Sequence, residues 1–145
     1  MEIASDVREL LVGLKEPNTV AEQQVFEEIQ DKHQEFCDFM HKFLARVADL
    51  ALALSPEARV FFYQLQRSIY QDWTSTITEC AFFSSPSSPA TLACKLARYE
   101  SVADQCMGSP SEELSQCSCK LIETNSNPSL EQCLKLYEQH LHHAH

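Results

Sequence analysis

Residues 19–54, TVAEQQVFEEIQDKHQEFCDFMHKFLARVADLALAL, decide the fold of this chain. Their large apolar side chains recur at alternating spacings of three and four, the period of an amphipathic helix. These side chains are Phe26, Ile29, Phe36, Met40, Phe43, Val47, Leu50 and Leu54. Only His33 interrupts the stripe, and Thr19 and Glu22 have the spacing of a capping box. We therefore predict one long helix over residues 19–54.

The opposite side of this helix is charged, and its N-terminal half is acidic. Glu28, Asp31, Glu35 and Asp38 form the acidic face. The whole chain carries a formal net charge of -10. Because phosphate binding requires a basic surface, we expect no nucleic acid partner. A basic protein is the better electrostatic match, although the acidity also serves solubility.

A second long helix follows almost at once. Ser55-Pro56 supplies a capping hydroxyl and then a proline at the first helical position, and the pattern predicts a helix from Pro56 to about Phe83. Since the connection is short, the two long helices are expected to form an antiparallel hairpin.

The rest of the chain is also predicted to be helical, because it contains only two glycines and repeats the same capping punctuation. Residues 1–15 predict a short helix, and three more helices are expected near 89–107, 110–124 and 128–143. The serine- and proline-rich run at 84–89 is the predicted boundary. The fold class is therefore all-α, with a helical hairpin unit at 1–85 and a small cysteine-rich, disulfide-laced unit at 86–145.

Aromatic residues surround the second long helix too widely for one packed face. We interpret Phe61, Phe62, Tyr63, Tyr70, Trp73, Phe82 and Phe83 as candidates for a protein interface.

Histidines and cysteines raise the question of a metal site or an enzyme. His33, Cys37 and His41 lie four residues apart on the first long helix, but His33 is expected to pack or to face a partner, and Cys37 to be a small buried hydrophobe. Four histidines in the last six residues could chelate a metal, although a solvated terminus is the simpler interpretation. No catalytic signature surrounds any cysteine, so we expect neither an enzyme nor a cofactor.

Seven cysteines are many for this length, and five of them follow residue 90. The gaps between Cys94, Cys106, Cys119 and Cys133 are 11, 12 and 13 residues. If the flanking segments form an antiparallel hairpin, Cys106 can meet Cys119 and Cys94 can meet Cys133. A competing scheme joins Cys80 with Cys94, Cys106 with Cys117 and Cys119 with Cys133. Spacing does not choose between these schemes, because six cysteines allow 15 pairings.

The segment 92–141 resembles the twin-cysteine helical hairpins of the coiled-coil-helix-coiled-coil-helix (CHCH) family. The likeness rests on LACKLARYE at 92–100, on Cys106, SEELS at 111–115 and Cys119, and on LEQCLKLY at 130–137. Within that group it is most similar to the acidic hinge subunits of the mitochondrial cytochrome bc1 complex.

This resemblance implies a non-catalytic structural or assembly subunit of a respiratory-chain complex, facing the mitochondrial intermembrane space. It also implies disulfides, and cytochrome c as the kind of basic partner that would meet the acidic face. No presequence is visible at Met1-Glu-Ile-Ala-Ser-Asp6, and we expect no transmembrane segment. The alternatives are a secreted, disulfide-bonded helical protein that binds a small hydrophobic ligand or a protein, and a cytosolic adaptor with reduced cysteines.

Overall fold

The computed structural model describes residues 6–11, 17–81, 89–108 and 129–143. Every element in these ranges is a helix: α1 is Val7–Leu10, α2 is Val20–Leu50, α3 is Pro56–Cys80, α4 is Pro89–Gly108 and α5 is Leu130–His143. The all-α prediction is confirmed for the described part of the chain. The expected helix at 110–124 and the expected boundary near residue 85 lie outside the described residues. The division into two units therefore stays a prediction.

The helix starts follow from local capping. The Thr19 hydroxyl accepts a hydrogen bond from the amide of Glu22 at 3.0 Å, and the Ser55 hydroxyl accepts one from the amide of Ala58 at 3.2 Å. At α5, Ser129 and Gln132 cap each other reciprocally: the Ser129 hydroxyl accepts from the Gln132 amide, and Gln132 Oε1 accepts from the Ser129 amide. Helix α5 therefore starts at Leu130, two residues later than predicted.

Helix α2 ends at Leu50, whereas the sequence predicts an end at Leu54. Residues 51–54 form a turn in which the amides of Ala53 and Leu54 both donate to the carbonyl of Leu50. Leu54 is still buried in the core, so its side chain fits the apolar stripe although its backbone has left the helix.

Contacts between named pairs fix the directions of the three longest helices. His33 and Phe36 contact Trp73, whereas Phe43 contacts Phe62, so α2 and α3 run in opposite directions. Helix α4 runs parallel to α2, because Tyr99 contacts Phe36 while Asp104 pairs with Arg46, further along both helices.

The described helices share one hydrophobic core. Helix α4 packs against both α2 and α3, α5 packs against α3, and α1 packs against α2. The largest fully buried side chains include Trp73, Tyr99, Phe36, Phe43 and Phe62. Among the described helices, none combines the length and the apolar character that a membrane span requires.

Candidate functional site

The predicted aromatic interface on α3 is divided between the core and the surface. Phe61 is 1 % exposed and Trp73 is 0 % exposed, so both belong to the core and are corrected as interface candidates. Phe62 is buried as well. Tyr63 is 57 % exposed and Tyr70 is half-buried. Phe82 and Phe83 lie outside the described residues.

Phe61 and Trp73 are buried because several helices surround α3. Helices α2, α4 and α5 all pack against it, so more than one of its sides is covered. Aromatic residues on several sides of a helix therefore indicate several helical neighbours here rather than an exposed interface.

The acidic face of α2 lies on the surface. Glu28, Asp31, Glu35 and Asp38 are all exposed. Glu35 Oε2 lies 3.2 Å from Lys32 Nζ, and Asp38 Oδ1 accepts a hydrogen bond from Gln34 Nε2 at 3.3 Å. The four acidic side chains therefore face solvent, while the opposite side of the same helix is buried in the core.

A groove with a volume of about 640 Å³ lies beside this acidic face, between α2 and α4. Helix α2 lines it with Lys32, Glu35, Asp38, Phe39, Lys42, Phe43 and Arg46. Helix α4 lines it with Ala93, Leu96, Ala97, Glu100, Ala103 and Asp104. Apolar side chains are therefore flanked by charges of both signs. This groove could not be predicted from the sequence, because spacing within each helix does not reveal that α4 lies beside α2.

The charges along the groove are arranged unevenly. Toward the C-terminal end of α2, Arg46 Nη1 lies 2.8 Å from Asp104 Oδ1, and Glu100 and Lys42 also line this end. Toward the N-terminal end, α2 contributes Lys32, Glu35 and Asp38, whereas α4 contributes only uncharged side chains, Ala93, Leu96 and Ala97. One end is therefore nearly balanced and the other end is acidic.

His33 and Cys37 are part of the core rather than of a reactive site. Trp73 Nε1 donates a hydrogen bond of 3.0 Å to His33 Nδ1, so a neutral imidazole carries its proton on Nε2, 3.6 Å from Cys37 Sγ. Burial, aided by the charge of Asp38, raises the pKa of the Cys37 thiol. At neutral pH this sulfur remains a thiol, which is a poor nucleophile. The expectation that His33 and Cys37 pack is confirmed by their burial.

A second polar cluster, formed by Asp72, Lys95 and Tyr99, joins α3 to α4. Lys95 Nζ lies 3.1 and 2.9 Å from the two carboxylate oxygens of Asp72, and the Tyr99 hydroxyl donates to Asp72 Oδ2. Burial first, and then the hydrogen bond to Asp72, raise the pKa of Tyr99 well above its ordinary value. The ammonium and the phenol both bond the carboxylate of Asp72, so this cluster fixes α4 against α3.

Two of the predicted disulfides, Cys94–Cys133 and Cys80–Cys94, join cysteines that both lie within the described residues. Cys94 is exposed, and Cys133 is buried with its sulfur 3.6 Å from the hydroxyl of Ser68. No Cys94–Cys133 disulfide is present, and Cys94 is not joined to Cys80 either. Pairing of Cys106 with Cys119 or Cys117, and of Cys119 with Cys133, involves positions outside the described residues.

The physical reason for the missing Cys94–Cys133 pair is the packing of α4 and α5. A hairpin with two disulfides requires these helices to face each other, whereas Cys133 of α5 faces Ser68 of α3. A salt bridge between Arg98 and Glu131, at 2.6 Å, joins α4 to α5.

Groups of three or more side chains that could hold a metal ion do not occur within the described residues. His41 is exposed on α2, and the side chains at 140–145, with all four terminal histidines, are outside the described part. Comparisons with protein families, curated proteins and solved structures gave no match. The CHCH resemblance therefore stays a prediction.

Proposed function

We propose that this chain is a non-catalytic, protein-binding subunit that binds a basic protein through the acidic face of α2. The observation that carries the proposal is the exposure of Glu28, Asp31, Glu35 and Asp38 along one side of a helix whose other side is buried. A helix anchored in this way holds the backbone of its acidic residues in place, so α2 loses little conformational entropy when a complementary partner binds.

The non-catalytic part of the proposal is supported by the two polar clusters that an enzyme would use first. The thiol of Cys37 is buried next to His33, and its raised pKa keeps it protonated. The carboxylate of Asp72 is bonded by Lys95 and Tyr99. The polar groups of both clusters therefore already contact other side chains of the protein.

The charge of the whole chain supports a basic partner. With a net charge of -10, the molecule attracts cationic proteins over about the Debye length of 8 to 10 Å and repels nucleic acid and anionic membranes. Association should therefore be fast at low ionic strength and should slow as salt is added.

Cytochrome c is the basic probe for the test, measured by titration calorimetry at low and at physiological ionic strength. The variant Glu28→Gln/Asp31→Asn/Asp38→Asn removes three carboxylates from the acidic face and is expected to raise the Kd roughly tenfold. The matched control, Glu9→Gln/Glu57→Gln/Glu138→Gln, removes three exposed carboxylates elsewhere and changes the net charge equally, from -10 to -7. Equal losses for both variants would mean that only net charge matters, and the proposal would fail.

The narrower proposal is an accessory or assembly subunit of a respiratory-chain complex in the mitochondrial intermembrane space. It rests on the resemblance of residues 92–141 alone. Native electrophoresis of material from its own cells tests it, and co-migration with a large inner-membrane complex is the supporting outcome. Recovery of a free monomer from the extracellular fraction, with a small hydrophobic ligand bound, would instead favour the secreted binding protein.

A further inference from the structure

The groove between α2 and α4 has the dimensions of a helix-binding site. It extends from Lys32 to Arg46 of α2, which is about 21 Å at 1.5 Å per residue and matches about 14 residues of a partner helix. Phe39, Phe43 and Leu96 line its floor, and since they are 9 %, 2 % and 6 % exposed, only a small part of each side chain reaches the groove. Amphipathic helices bind in such grooves through residues spaced three and four apart.

Small side chains on α4 keep one wall of the groove low. Ala93 and Ala97 are exposed and line the groove one turn apart. A partner backbone can approach α4 closely at this level, because neither position carries a side chain beyond Cβ. A longer side chain at either position would occupy the space that a helix needs.

The charges along the groove indicate which kind of helix fits into it. Around Ala93 and Ala97 the groove presents Glu35 and Asp38, and Glu28 and Asp31 extend the same row. Lys32 is the single cation among them, and it is already within 3.2 Å of Glu35. We therefore expect the part of the occupant that lies at this end to carry positive charge. The other end does not require positive charge, since Arg46 is paired with Asp104.

A second copy of this chain is a poor occupant. Each copy carries a net charge of -10. The α2 cations of one copy would have to meet the acidic end of the other, but Glu100 and Asp104 on α4 line the groove together with those cations. Two acidic surfaces would have to approach each other, which costs free energy rather than gaining it.

We infer that the occupant is an amphipathic helix of another protein, which lies along the groove with its Lys- or Arg-rich end beside the N-terminal half of α2. This inference rests on the proposed function and adds the structural element that the partner presents and the place where it lies. The apolar stripe of the occupant lies over Ala93 and Ala97 and over the parts of Phe39 and Leu96 that reach the groove, and its cations meet the acidic face of α2.

The probe is a fluorescent 18-residue peptide with leucines three and four residues apart, alanines between them, and lysines in its last two turns. Binding is measured by fluorescence anisotropy. A second peptide with a central alanine replaced by proline keeps the charge but cannot form a continuous helix. The proline peptide is expected to bind at least about tenfold more weakly.

The variant Ala93→Gln/Ala97→Gln fills the groove with neutral side chains that favour helix, so α4 itself is preserved. It is expected to raise the Kd of the lysine peptide about tenfold. Ser101→Gln is the control, because Ser101 is exposed on α4 and does not line the groove. Circular dichroism confirms that each variant is folded.

The two proposals fail in different ways. If Glu28→Gln/Asp31→Asn weakens binding but the groove-filling variant and the proline peptide do not, the helix inference is wrong and the proposed function stands. If the groove-filling variant and the proline peptide reduce binding while the acidic-face variants do not, the groove binds a helix by its apolar surface alone and the basic end is wrong. If none of these changes weakens binding, both proposals fail.

Discussion

Trp73 donates its indole proton to His33 Nδ1 at 3.0 Å, in a part of the core where both residues are fully buried. The two rings also lie nearly parallel, and Phe36 stacks on Trp73 with centroids 4.6 Å apart. The hydrogen bond therefore joins α2 to α3 inside an aromatic cluster, where an unpaired donor or acceptor is costly.

We expect Trp73→Phe and His33→Leu each to lower the free energy of unfolding by about 1 to 3 kcal/mol, because each leaves one polar partner buried without its hydrogen bond. The double variant should lose less than the sum of the two, since it removes both the donor and the acceptor of this hydrogen bond. Urea denaturation followed by circular dichroism measures all three. Strictly additive costs would mean that the hydrogen bond contributes nothing beyond packing.

The Tyr99 phenol makes stability depend on alkaline pH. Burial, and secondly its hydrogen bond to Asp72, hold the folded-state pKa above the ordinary value of 10.0. As pH rises above about 10, the unfolded chain therefore loses this proton first, and the contribution of Tyr99 to stability is present below that pH and lost above it.

Tyr99→Phe should consequently cost stability at pH 7, by roughly 1.5 to 3 kcal/mol for a bond to a charged group, and this difference should shrink above pH 10. The buried thiols of Cys37, Cys80 and Cys133 also have raised pKa values, but they are present in both proteins and cancel. Tyr63→Phe, at an exposed tyrosine, is the control. A difference that stays constant from pH 7 to pH 11 would contradict this account.

Local features of the fold could be predicted from the sequence, because capping and helical periodicity act over three or four residues. The cap at Thr19 and the Ser55-Pro56 start of α3 are examples. The end of α2 could not be predicted, since Ala51, Leu52 and Ala53 continue a helix well. The turn there follows from the chain reversal, together with the bias that Pro56 imposes against a helical Ser55.

Contacts between distant helices could not be predicted in the same way. The periodicity of α3 does not reveal that α2, α4 and α5 surround it. Trp73 is therefore expected on a surface from the sequence, but it lies in the core. The position of α4 beside α2 creates the groove, and it depends on contacts such as Tyr99 with Phe36, 63 residues apart in the chain. The acidic face was predictable because its four carboxylates follow the period of one helix.

The reciprocal cap at the start of α5 should contribute measurably to stability. Ser129→Ala removes the hydroxyl that accepts from the Gln132 amide, and we expect a loss of about 1 kcal/mol. Ser101→Ala, at an exposed position within α4, should be neutral or slightly stabilising because alanine favours helix. Urea unfolding compares the two, and hydrogen exchange of the α5 amides localises the effect. Equal effects of the two substitutions would mean that the cap is energetically silent.

The thiols should differ sharply in reactivity, and this difference also tests the disulfide prediction. Cys94 is exposed, whereas Cys37, Cys80 and Cys133 are buried with pKa values raised first of all by that burial. Iodoacetamide at pH 7 should therefore modify Cys94 first, with the three buried thiols at least about tenfold slower. Peptide mapping by mass spectrometry identifies each site, and urea should abolish the difference. The same mapping, on unreduced protein from its native compartment, decides the remaining point: a Cys94–Cys133 disulfide there would contradict the packing of Cys133 against Ser68 and would support the CHCH pairing instead.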